Sequence, residues 1–264
     1  MIRRFVLAAS LVLGLAAPAF AADKFPPIRA FDIPTVERLG AAIYRQDRAA
    51  WLATDALRAK FPNLADSGVR GWIVVGDGGA ERVRFLRRTD GGGLEAGYDI
   101  IVDGKGAGPV VEPADRTLSD EERTAFAARQ TAIAAAPPRC REGYNTAVVK
   151  DPDGDGWLVW LLAPSLSADA VPVGGHYRFT VSQDGRTLER TDALSASCLL
   201  MDKRPPEKDG ATTMMFVTHI VSPEPVETHV FLSLLYRTPI AVGTRDKKVW
   251  LVEGGKITTL KMDR

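Results

Sequence analysis

Apolar residues at Val36, Ile43, Ala50 and Leu57 recur every seven positions, with Leu39 and Ala53 between them, while arginines and aspartates fill the remaining face. That spacing predicts an amphipathic helix that starts near Pro34 and is stopped by Phe-Pro-Asn at 61–63. A second helix is expected after Leu118, because Ser119 and Glu122 have capping-box spacing and can satisfy each other's free amide hydrogens. It crosses an alanine-rich stretch and must end by Pro137 and Pro138. Between the two helices, residues 71–76, 81–88 and 97–104 read as strands punctuated by glycine-rich turns. In the middle one Val83 and Phe85 alternate with Arg82 and Arg84, so one face is expected to be buried and the basic face solvated, with a phosphate or polyanion site there as the lesser alternative.

Beyond residue 137 the texture changes, and strand patterns follow one another with turn residues between. Strands are expected at 144–150, 157–163, 176–182, 186–192, 214–221, 227–236, 239–244, 248–252 and 256–260. Asp184–Gly185, residues 245–248 and Gly254–Gly255 supply hairpin turns. Trp157 and Trp160 lie on opposite faces of a continuous apolar run, which suits a central strand covered on both sides. The pattern predicts an α+β fold dominated by antiparallel sheet, with a C-terminal meander and two helices in the N-terminal half. The expected division is a leader at 1–22, an N-terminal α+β region at 23–136 and a C-terminal β region at 137–264. The last two can equally form one continuous domain. No repeat of fixed period is present.

Composition then narrows the setting. Residues 1–22 carry a short positive segment, an apolar run and a small-residue cleavage site after Ala21 or Ala22, the pattern of a secretory signal peptide. The protein is therefore expected to be periplasmic or secreted, with no membrane span once the leader is removed. Its 34 basic and 33 acidic residues nearly cancel and are scattered, which argues against nucleic acid as a partner. Cys140 and Cys198 are the only cysteines, and in an oxidising compartment they are expected to form a disulfide.

Two groups of residues suggest chemistry. Asp151, Asp153, Asp155 and Gly156 occupy the first, third, fifth and sixth positions of a calcium loop, and Trp157 could offer a carbonyl at the seventh. The twelfth position is Leu162 in place of the bidentate glutamate. The stretch therefore reads first as a hairpin turn and second as a weak calcium site, the one cofactor expectation that the sequence supports. The three histidines, His176, His219 and His229, form the other group. If residues 222–226 close a hairpin, His219 and His229 face each other across it, and with His176 they could hold zinc or copper. Signatures of common nucleophilic, phosphate-binding and dinucleotide-binding sites are missing. The leading expectation is a non-catalytic binding or interaction module, with an unknown protein or small-molecule ligand in the cell envelope. A hydrolase using a histidine-bound metal or a carboxylate pair comes second, and a structural module with a weak calcium loop third.

Overall fold

The structure is a computed structural model that describes residues 26–137, 140, 142–165, 167, 169–202 and 214–260. The leader at 1–22 lies outside the described residues. Helix α1 (Ile33–Lys60) begins where Asp32 accepts a hydrogen bond from the Thr35 amide at 2.8 Å, with Pro34 in its first turn. Its apolar stripe is long enough to serve two cores. Val36, Leu39 and Ile43 enter the larger core, and Ala49, Ala53 and Leu57 pack on the first sheet.

That sheet contains β1 (Val69–Asp77), β2 (Ala80–Arg88), β3 (Leu94–Asp103) and the short β4 (Gly106–Ala107), antiparallel and in sequence order. Alternation gives it two distinct faces. Val83, Phe85, Tyr98, Ile100 and Val102 meet α1, whereas Ile73, Leu86 and Ala96 meet Leu118 and Phe126. Phe126 belongs to α2 (Asp120–Ala134), which starts with the expected capping box: the Glu122 amide donates to Ser119 Oγ at 3.1 Å and the Ser119 amide donates to Glu122 Oε2 at 2.8 Å.

The second sheet runs β5 (Asn145–Lys150), β6 (Trp157–Leu162), β8 (Tyr177–Val181) and β9 (Leu188–Ala193), with β7 (Ala170–Pro172) pairing outside it to β10 (Leu200–Asp202). Every residue of β6 is buried, with Trp160 in the larger core and Trp157 under α2. Cys140 and Cys198 are joined by a disulfide, with their Cα atoms 5.7 Å apart.

The third sheet departs from a simple meander. Strand β11 (Met215–His219) is parallel to β12 (Ile240–Thr244), and α3 (Glu227–Tyr236) connects them; β13 (Val249–Glu253) and β14 (Lys256–Leu260) then continue antiparallel. Residues 227–236, expected as a strand, are this helix. A ten-residue apolar run buried on most sides looks alike in either conformation, and here the parallel pairing demands a crossover. Helix α3 lies hard against α1, because a Cβ at Gly40 would collide with Val230. The α+β class stands, with antiparallel pairing dominant.

Candidate functional site

Between the α2-facing side of the first sheet, α2 itself and strands β5 and β6 lies a cleft of about 580 Å³. Small-molecule sites commonly measure about 300–1,000 Å³. Ile73, Val74, Val148 and Ala125 give it apolar walls, and Arg82, Arg84, Arg129 and Lys150 line it with positive charge.

Arg129 is the central group. Phe126 and Ala132 precede and follow it by three residues on α2, so the helix turns it inward with its apolar stripe, and it is only 8 % exposed. Its Nε donates to Thr146 Oγ1 at 2.7 Å, its Nη1 makes a long contact of 3.4 Å to Gln130 Oε1, and its guanidinium lies 4.2 Å from the Trp72 ring centre. No carboxylate pairs with it among the described residues. Burial pulls its pKa down to about 10, so at neutral pH it remains charged inside a desolvating site.

The neighbouring cations differ in kind. Arg84 was expected on a solvated face, yet it is buried: its Nη2 donates to Asp99 Oδ2 at 2.7 Å and its Nη1 to Glu122 Oε1 at 2.8 Å. The hydrogen bond with Asp99 is the main reason its pKa is raised, and the pair of acids neutralises it. Arg82, two residues away on the same face, has a buried Nε with no hydrogen-bond partner. Lys150 lies 3.8 Å from the Trp157 ring centre. The acids of the lining are Asp115 and Glu121, both exposed, and Glu122, already held by Arg84. The cleft thus presents unneutralised guanidinium donors beside indole and aliphatic walls. Ser119 is committed to its helix cap, and the lining contains neither histidine nor cysteine.

The residues singled out in the sequence lie elsewhere. Residues 151–156 are a hairpin connection between β5 and β6, closed by the Asp151 amide donating to Gly156 O at 3.1 Å. Asp151 accepts both terminal nitrogens of Arg29, at 2.5 and 2.8 Å, and Arg29 also reaches Asp153 at 3.2 Å. Burial pushes the Asp151 carboxyl up, but the Arg29 guanidinium overrides this and holds it below the usual carboxylate range. Asp155 is exposed, and Trp157 is a buried sheet residue whose indole donates to Gln183 O. The stretch is the hairpin turn of its first reading, and the Arg29 guanidinium lies against two of the aspartates that the second, calcium, reading assigned to a metal ion.

His219 and His229 do meet, edge to face with ring centres 4.7 Å apart, but across the end of β11 and the first turn of α3 and not across a hairpin. The Val226 amide donates to His229 Nδ1 at 3.0 Å, so the imidazole acts as a helix cap. Ser222 gives its only proton to Glu224 O, so His219 Nε2 must donate to Ser222 Oγ at 2.7 Å. His176 is spent on both sides, accepting from the Ala163 amide through Nδ1 and donating to Pro172 O through Nε2. Burial keeps all three neutral, with His176 and His219 pulled down to about 4 and His229 well below its usual value. Among the described residues no group of three His, Cys, Asp or Glu side chains could hold a metal ion. The three histidines are hydrogen-bonded core residues.

Arg178, two residues after His176 on β8, is 1 % exposed. Its Nη1 donates to Glu227 Oε1 at 3.0 Å, its Nη2 to Asp192 Oδ2 at 2.8 Å and also to the Arg29 carbonyl. Trp160 Nε1 shares Glu227 Oε1 at 2.8 Å. This network fastens α3 and the 26–31 segment to the second sheet. Arg129 was not identified from the sequence, and for the Arg82 and Arg84 face a phosphate or polyanion site was only the lesser alternative to solvent. The available signal was an arginine in the apolar stripe of a helix, seven residues after Glu122 and three after Phe126. No family, curated protein or solved structure matches the chain.

Proposed function

We propose that the protein is a non-catalytic binding module that works outside the cytoplasm and takes a small anion with an apolar body in the cleft around Arg129. The observation that carries this reading is the Arg129 guanidinium itself: more than nine-tenths buried, still charged at neutral pH, without a carboxylate partner among the described residues, and lining a cavity of ligand size. A buried charge without a partner is costly, and an incoming carboxylate or phosphate supplies the missing partner as a charge-assisted, two-point hydrogen bond. Arg82, with an unsatisfied Nε on the same wall, offers the second donor. The aliphatic and indole surfaces accommodate the rest of the ligand.

The location outside the cytoplasm rests on the leader pattern at 1–22 and on the Cys140–Cys198 disulfide, which is at home in an oxidising compartment. Among the described residues no helix is long and apolar enough to cross a membrane. A thermal-shift screen of aryl phosphates and aryl carboxylates against the neutral alcohols and amides of the same shape tests the reading. Stabilisation by the anions alone is expected, and equal stabilisation by the neutral compounds contradicts it.

A further inference from the structure

Helix α1, like α2, carries a charge in its apolar stripe. Asp47 lies between Ile43 and Ala50 and is 8 % exposed. Asn145 Nδ2 donates to its Oδ1 at 3.0 Å, and no lysine or arginine pairs with it among the described residues. It sits at one end of a cavity of about 390 Å³ that follows the face of α1 formed by Asp47, Trp51, Thr54 and Arg58, with Leu64 and Trp72 among the facing residues. Eleven residues at 1.5 Å rise make that groove about 16 Å long. Trp51 is 59 % exposed at its mouth.

We infer that this groove is a second ligand site, which takes an organic ammonium whose charge meets Asp47 and whose apolar body lies along Trp51 and Trp72. A desolvated carboxylate without a counter-charge is compensated by a cation, which a neutral ligand cannot supply. The exposed indole of Trp51 adds contact surface for the apolar body. Of the other charges on the packed elements, Arg129 of α2 lies behind the Thr146 and Trp72 wall, and Arg58 lies at the far end, largely exposed and 3.5 Å from Asp55. Tyr236 of α3 has its hydroxyl pKa raised by its own burial and then by the Asp47 charge. The Asp47 end is therefore the negative one. The site shares with the Arg129 cleft Trp72 and Thr146, which Arg129 touches, but Asp47 and Trp51 line this groove alone, so Asp47→Asn and Arg129→Met test the two sites separately.

The test is calorimetric titration at pH 8 with phenethylammonium chloride and with 2-phenylethanol, its neutral counterpart. The ammonium is expected to bind at least about tenfold more tightly, the scale of a hydrogen bond to a charged group. Asp47→Asn should erase that preference, and Trp51→Ala should weaken both ligands alike. Burial holds the Asp47 carboxyl up at about 6, so the preference should also fade as pH drops from 8 to 5. Equal affinity for the alcohol, an unchanged preference in Asp47→Asn, or no saturable binding of the ammonium overturns the inference.

Discussion

The Arg129 guanidinium lies 4.2 Å from the ring centre of Trp72, and this cation–π contact, with one hydrogen bond to Thr146, is most of what the protein offers a nearly buried charge. Such a contact contributes about 0.5–2 kcal/mol. Desolvation of a guanidinium without a carboxylate opposes it, and the same burial pulls its pKa down to about 10. The residue is therefore a strained element of the fold, kept in the wall of a cleft.

A consequence for stability follows directly. Arg129→Met keeps much of the side-chain volume, removes the uncompensated charge and forfeits the Thr146 hydrogen bond. Urea unfolding at pH 7 should find the variant at least as stable as the wild type and up to about 2 kcal/mol more so. A loss of more than about 2 kcal/mol would instead mark Arg129 as part of the structural framework.

Asp47 gives the pH dependence its sign. Its carboxyl titrates at about 6 in the fold against 3.8 when unfolded, so the unfolded chain releases this proton first. The group's contribution is fully favourable below pH 4 and is lost as pH rises through 6, by at most about 3 kcal/mol. Asp47→Asn should accordingly unfold at higher urea than the wild type at pH 8, with the gap closing near pH 4. A gap that persists at pH 4 refutes the burial penalty.

The Arg178 network should respond asymmetrically. Arg178→Met leaves Glu227, which is 0 % exposed, without a counter-charge, while Asp192 keeps Arg190 and the Arg29 amide, and the variant should destabilise by about 3–5 kcal/mol. Glu227→Gln keeps an acceptor for Trp160 Nε1 and leaves Arg178 paired with Asp192, so its cost should be smaller. Comparing the two by urea unfolding checks this order, and equal losses contradict it.

Local signals in the chain were legible where local physics decides. The stripe of α1, the Ser119–Glu122 box, the doubly covered β6 and the turns at Asp184–Gly185 and Gly254–Gly255 are all set by residues a few positions apart. Helix α3 was not legible, because its apolar run has no wet face to reveal a period. The aspartate spacing at 151–155 was real but silent about Arg29, a partner more than 120 residues away. His219 and His229 were expected to face each other only if residues 222–226 closed a hairpin; they meet instead where β11 leads into α3, and the helix cap that uses His229 depends on that crossover. Both candidate sites share one sequence mark, a charge set into an apolar helical stripe: Arg129 after Phe126, and Asp47 after Ile43. Only the fold distinguishes such a charge that opens onto a cavity from one, like Arg178, that is sealed among partners.

The anion-binding reading is most directly tested by isothermal titration of phenyl phosphate and benzoate into the wild type and into Arg129→Met, at two salt concentrations. The account predicts saturable one-to-one binding to the wild type and its loss in a variant that remains fully folded. Equal binding by Arg129→Met, or no saturable binding of either anion to the wild type, contradicts it.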